Sequence, residues 1–112
     1  MARIVAFIPD LLFGSNVVGA LRAAGHAVEL VPDPSSAPGA DLLIIDLTAD
    51  AESRLQDAGE FVGSVPSLAF YSHVESDVRD RAQSAGVDLV VPRSRMARDG
   101  PALVERLLAG RE

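Results

Sequence analysis

The chain has 112 residues, which suits one domain with a single core, and it carries 16 acidic against 10 basic side chains. The net charge of −6 disfavours binding to nucleic acid or to an anionic membrane, because both require a basic face. All basic residues are arginine and cysteine is absent, which excludes lysine chemistry, disulfides and cysteine-based metal sites.

Five apolar runs of four to seven residues predict β-strands. Continuous rather than alternating apolar runs are typical of strands that helices cover on both faces of a parallel sheet. The runs are Arg3–Ile8, Val28–Val31, Asp41–Leu47, Ser67–Tyr71 and Asp88–Val91. The first run is too short to span a membrane and has no secretory cleavage pattern, so we expect a cytoplasmic protein.

Apolar residues at helical spacing lie between and after these strands. The predicted stripes are Val17, Val18, Leu21 and Ala24; Ala51, Leu55, Ala58 and Phe61 or Val62; Val74, Val78, Ala82 and Ala85; and Ala102, Leu103, Leu107 and Leu108. Gly25 and Gly86 follow the first and third stripes as helix stops. Asp50 is a candidate N-cap for the second helix, and Asp99 for the last, with Pro101 in its first turn.

This alternation of strands and helices indicates an α/β three-layer sandwich with right-handed crossovers. Residues 32–40 interrupt it, because they contain three prolines and no helical spacing. We therefore predict that the second helix is shortened or missing. No change of composition marks a boundary, so we expect residues 1–112 to form one domain.

Polar residues follow the predicted strands at the edge where open parallel sheets bind ligands. They are Asp10, Asp33, Asp46 with Thr48, Ser72 with His73, and Arg93 with Arg95. Each also has a structural interpretation. Asp46 could cap the following turn or pair with an arginine, and Asp10 could cap a helix. Ser72 could form a capping box with Glu75.

The loops at this edge carry two further features. Leu11-Leu12-Phe13 is predicted to lie in a loop, either folded onto the core or exposed to a partner. Arg93, Arg95 and Arg98 are predicted in the loop after the last strand, where Arg93 could pair with Asp46 or Asp10. His26, after a helix stop, is expected to interact with the C-terminal dipole of the helix or to lie at the surface. Neither a nucleophile elbow nor a G-x-G-x-x-G pattern occurs, which argues against serine hydrolysis and dinucleotide binding.

The arrangement resembles the response-regulator receiver family over almost the whole chain. Asp46 ends the third strand and Ser72 follows the fourth, as an aspartate and a hydroxyl residue do in that family. The resemblance implies a flavodoxin-like fold with strand order 2-1-3-4-5. It also implies that Asp46 is the candidate phosphoacceptor and that Asp10 and Asp46 form a weak Mg²⁺ site. Ser72, Arg93 and Arg95 would then contact a phosphoryl group or another anion.

The chain departs from the family at two of these positions. Only Asp10 stands where the family has adjacent acids, and Pro92-Arg93 replaces lysine followed by proline. Arginine is not a conservative replacement, because its guanidinium is a planar fork. We therefore predict a degenerate or pseudo-receiver.

Such a receiver would be a stand-alone signalling module and not an enzyme, without a cofactor except weakly bound Mg²⁺. It would act through contacts with a protein partner or as a homodimer. Two alternatives stay open. One is a functional phosphoacceptor that uses Asp46, and the other is a small-anion or nucleotide binder centred on Arg93 and Arg95.

Overall fold

A computed structural model describes residues 2–72 and 76–110 of the chain. One five-stranded parallel sheet has the order β2-β1-β3-β4-β5. Its strands are β1 (Arg3–Phe7), β2 (Ala27–Val31), β3 (Leu42–Asp46), β4 (Ser67–Tyr71) and β5 (Leu89–Pro92). The predicted fold class and strand order are confirmed, and each predicted strand agrees with the observed one to within one residue at either end.

Four α-helices in the described residues cover the two faces of the sheet. They are α1 (Leu11–Ala23), α2 (Ala51–Val62), α3 (Ser76–Ser84) and α4 (Arg93–Ala109). Successive side chains of a strand point to opposite faces. Ile4 and Ala6 therefore lie in the core beneath α1 and α4, whereas Val5 and Phe7 lie in the core beneath α2 and α3. No helix in this part of the chain is long and apolar enough to cross a membrane.

The connection from β2 to β3 contains no α-helix, as predicted. It forms a single 3₁₀ turn, Pro34–Ser36, which begins where Asp33 accepts a hydrogen bond from the Ser35 N–H at 2.9 Å. Hydrogen bonds from Ser35 also lower the pKa of Asp33 below its ordinary value. Ala37 is fully buried in the core on the α2 side, so this short segment covers the sheet where a longer helix would otherwise lie.

The prediction that residues 11–13 form a loop is wrong, because α1 begins at Leu11, with only three residues between it and the end of β1. Asp10 is its N-cap and accepts a hydrogen bond from the Phe13 N–H at 3.1 Å, which starts the helix at Leu11. Phe13 is buried against Phe70, with ring centroids 5.0 Å apart. Leu11 and Leu12 are 73% and 78% exposed. Phe13 is therefore folded onto the core, while Leu11 and Leu12 are exposed, and contact of these two with a partner stays a prediction.

The last helix also begins earlier than predicted. Helix α4 starts at Arg93, so the arginines that follow β5 lie in its first turns and not in a loop, and Asp99 is an interior residue rather than an N-cap. Pro101 lies inside the helix, where it removes one backbone hydrogen bond. The helix nevertheless continues to Ala109, and Met96, Leu103 and Val104 on it are buried in the core.

Two smaller expectations also differ from the structure. Asp50 occupies the N-cap position of α2 but makes no capping hydrogen bond, because its backbone is left-handed at φ 48°. His26 is buried, and its Nε2 lies 2.7 Å from Oε1 of Glu105 on α4. Its position after a helix stop indicated the surface, but the packing of α4 against the sheet covers it.

Candidate functional site

The register of the sheet determines which polar residues meet at its carboxyl edge. Phe7 lies opposite Ile45, Asp46 opposite Phe70, and Tyr71 opposite Pro92. Phe7, Ile45, Ala69 and Val90 lie side by side across the sheet. Asp10, Thr48, Ser72 and Arg93 each follow one of these residues by three positions, whereas Asp46 follows Ile45 by one position and is therefore closer to the core.

An open groove of about 530 Å³ occupies this edge. Its described lining residues are Phe13, Thr48, Ser72, Arg93, Ser94 and Ala97. The structure thus brings the predicted residues Ser72 and Arg93 together. Asp10, Asp46 and Arg95 do not belong to this lining. Ser72 is half-buried, whereas His73 and Glu75 lie outside the described residues, and with them the predicted capping box.

Asp46 is held in place by two neighbours. Its Oδ1 accepts hydrogen bonds from the Thr48 N–H at 2.8 Å and from the Thr48 hydroxyl at 2.6 Å. Its Oδ2 lies 3.3 Å from Nη1 of Arg54, and the Asp46 side chain is only 2% exposed. Both structural interpretations of this residue therefore apply: it closes the following turn and it pairs with an arginine.

Arg54 is the residue of this site that the sequence did not single out. It lies eight residues after Asp46, in the first turn of α2, and its Nη1 also donates to the Asp46 main-chain oxygen at 3.0 Å. A signal was present in the sequence, because an aspartate that ends a buried strand requires a counter-charge. Arg54 is the first arginine after it.

Arg93 pairs with Asp10 and not with Asp46. Its Nη2 lies 3.4 Å from Oδ2 of Asp10, and its guanidinium stacks over Phe13 at 4.3 Å from the ring centroid. The Asp10 carboxylate therefore has two tasks, one as the cap of α1 and one as the partner of Arg93. Arg93 joins the first turns of α1 and α4 beside the groove.

The other two arginines of this region face elsewhere. Arg95 Nε lies 4.0 Å from Asp99 Oδ2, and Arg98 Nη2 lies 3.1 Å from the same oxygen. Residues two apart on a helix point in different directions, so Arg95 cannot share the groove with Arg93. The three arginines that form a cluster in the sequence therefore separate, with Arg93 at Asp10 and with Arg95 and Arg98 both at Asp99.

The carboxylates do not fit the Mg²⁺ ion that the resemblance implies. Mg²⁺ requires hard oxygen ligands that converge on one point. Asp10 and Asp46 lie at different levels of the sheet edge, and each already has an arginine partner. Within residues 2–72 and 76–110, no group of three His, Cys, Asp or Glu residues could hold a metal ion.

Comparison with known proteins gives a result only at the level of structure. No protein-family profile matches the chain, and no curated protein matches it. A response regulator from Thermotoga maritima matches with a TM-score of 0.81 at 14% identity, over 97% of this chain and 98% of that chain. The receiver domain of the Francisella response regulator 1452 matches with a TM-score of 0.81 at 12% identity, over the full length of both chains. The chain has the receiver fold.

A third structure, that of NtrX from Brucella abortus in complex with ADP, matches at 19% identity with a TM-score of 0.80. The match covers 97% of this chain but 26% of NtrX, so the chain spans about a quarter of that protein's length. Identities this low establish the shared fold and leave the chemistry of the sheet edge to be argued from this chain's own residues.

Proposed function

We propose that this chain is an atypical receiver-like signalling module that acts through protein contacts and is not phosphorylated in the Mg²⁺-dependent way. The observation that carries the proposal is the state of Asp46. A phosphoacceptor must present a free carboxylate oxygen to its donor, whereas both oxygens of Asp46 are engaged and its side chain is 2% exposed.

The surroundings of Asp46 support the same proposal. Asp10 is committed to capping α1 and to Arg93, which removes it as a metal ligand. Arg93 stands where the receiver family has a lysine followed by proline, but it stacks on Phe13. Its guanidinium is thereby held away from Asp46. We accordingly propose no enzymatic activity and no resident cofactor.

The test is incubation of the protein with acetyl phosphate and Mg²⁺, followed by intact mass spectrometry. We expect no phosphoryl adduct. An adduct that appears on the wild type and is lost in Asp46→Asn would refute the proposal, and would support the alternative of a functional phosphoacceptor.

Contact with a second copy of the chain is the mode of action that we propose to test first. Leu11 and Leu12 form adjacent exposed apolar surface at the start of α1, of the kind that association covers. Light scattering should show a dimer for the wild type and a monomer for Leu11→Ser/Leu12→Ser. A wild type that is monomeric at high concentration excludes the homodimer and leaves a different protein as the partner.

We propose the cytoplasm as the place of action.

A small-anion binder is the second candidate, and the composition of the groove favours it. Thr48, Ser72 and Ser94 line the groove with Arg93, and Pro92 leaves the first N–H groups of α4 without a side-chain cap. Hydroxyls, a guanidinium and free N–H groups are the donors that phosphate uses. A thermal-shift screen with inorganic phosphate and phosphorylated metabolites should show stabilisation that Arg93→Ala removes. Absence of any hit rejects this candidate.

A further inference from the structure

Arg54 makes two contacts with one residue of the sheet. Its Nη1 lies 3.3 Å from the Asp46 carboxylate and donates to the Asp46 carbonyl at 3.0 Å. The Arg54 side chain is 14% exposed, so the pair is shielded from solvent on both sides. A single cationic nitrogen thus binds the carboxylate and the main-chain oxygen at the end of β3.

The main chain of Arg54 is held by a hydrogen bond, as its guanidinium is. The Arg54 N–H donates to the Asp50 carbonyl at 2.9 Å, which anchors Arg54 in the first turn of α2. The left-handed backbone of Asp50 turns the chain from β3 into this helix. The guanidinium reaches back from there to the strand end, while Thr48 holds the opposite carboxylate oxygen.

A buried carboxylate without a counter-charge is costly, and a cation that is tethered to the next helix supplies the charge permanently. Neither a soluble cation nor a reagent can approach Oδ2 while the guanidinium lies against it. We propose that Arg54 is a positioning residue that keeps the Asp46 carboxylate inaccessible to solvent and reagents. Removal of Arg54 alone makes this carboxylate accessible and reactive. This role rests on the proposed function, in which Asp46 is not phosphorylated, and Arg54 is the residue that prevents Asp46 from reacting.

The test measures carboxylate reactivity by carbodiimide-driven coupling to glycine ethyl ester, followed by peptide mass spectrometry. In this reaction the carboxylate oxygen adds to the carbodiimide carbon, and the amine then displaces the urea to leave an amide. Asp99, whose side chain is 38% exposed, provides an internal standard in every sample. Wild-type Asp46 should show only background labelling.

In Arg54→Ala, labelling of Asp46 should rise from background to a level comparable with that of Asp99. The matched control is Arg81→Ala, which removes an arginine from an exposed ion pair with Asp77 and should leave Asp46 unlabelled. Far-UV circular dichroism and a cooperative melt establish that each variant is folded. If Arg54→Ala does not melt cooperatively, Arg54→Gln keeps most of the side-chain length and should show the same rise.

Arg54→Lys separates charge from packing, because it keeps the cation and should restore most of the protection. Equal protection by glutamine and by lysine would mean that bulk alone covers Asp46, and would overturn the proposal. So would an unlabelled Asp46 in a folded Arg54→Ala, or a labelled Asp46 in the wild type. The phosphodonor assay on the wild type decides the proposed function separately, since labelling of Arg54→Ala does not enter it.

Discussion

The pair of Asp46 and Arg54 makes a quantitative prediction about stability. Arg54→Ala leaves a carboxylate that is 2% exposed without its counter-ion, 3.3 Å from where the guanidinium was. Breaking a buried pair by removing one partner costs about 3–5 kcal/mol. Because Arg54 is 14% exposed and water can enter in its place, we expect the lower end, about 3 kcal/mol.

A loss of this size is easily measured in a domain of this length. The melting temperature should fall by roughly 12 °C or more, at about 4 °C per kcal/mol. Urea denaturation supplies the free energy of unfolding, and Arg81→Ala serves as the control. Its exposed i,i+4 pair with Asp77 should cost only about 0.3–0.5 kcal/mol.

A double-mutant cycle then assigns the loss to the pair itself. Asp46→Asn keeps an oxygen for the Thr48 donors and removes the charge, so it should cost about 1–2 kcal/mol. In that background Arg54→Ala should cost about half of what it costs in the wild type. The reasoning is refuted if Arg54→Ala costs less than about 1 kcal/mol, because the pair would then behave as a solvated surface pair.

Three further predictions concern other contacts. Arg93→Ala should lower the free energy of unfolding by about 1 kcal/mol, because the guanidinium stacks 4.3 Å from the centroid of Phe13 while remaining half-exposed; a loss above about 3 kcal/mol in urea denaturation would contradict this. Glu105→Ala should cost about 1–2 kcal/mol by leaving the buried His26 Nε2 without its partner, and an unchanged urea midpoint would show that water replaces the carboxylate. Hydrogen bonds from Ser35 lower the pKa of Asp33 in the folded state. The ionised Asp33 carboxylate therefore contributes fully to the free energy of unfolding at a pH above the ordinary pKa of aspartate, and this contribution disappears as the pH falls through the folded-state pKa. The difference in melting temperature between the wild type and Asp33→Asn should therefore shrink on acidification below about pH 4, and a difference that grows instead would reverse the sign of this argument.

Local patterns predicted the sheet well because each strand is a continuous apolar run with polar ends. The absence of a helix between β2 and β3 could also be predicted, since residues 32–40 contain three prolines, which disfavour an α-helix, and no helical spacing of apolar residues. Helix starts were predicted less well. Leu11 begins α1 because the Asp10 carboxylate accepts a hydrogen bond from the Phe13 N–H, a local contact that the sequence offered as one possibility. The early start of α4 at Arg93 accompanies the burial of Met96 in the core, which no pattern within a few residues indicates.

The candidate site was likewise predicted only in part from the sequence. Asp46, Ser72 and Arg93 were recognisable because each follows a predicted strand, where parallel sheets place functional residues. For their partners the sequence left alternatives open, since Arg93 could pair with Asp46 or with Asp10 and the arginine beside Asp46 was not named. The structure pairs Arg93 with Asp10 and Asp46 with Arg54.

By itself, the sequence determined the α/β class, the five strands, the shortened second connection and the absence of any lysine that could contact a phosphoryl group. These properties follow from composition and from patterns within a few residues. Only the tertiary structure decided that Asp46 pairs with Arg54, that Arg93 contacts Asp10 and Phe13, and that Arg95 and Arg98 lie against Asp99 and away from Arg93. Pairing between charges depends on strand register and helix placement, which bring together residues that no local pattern connects.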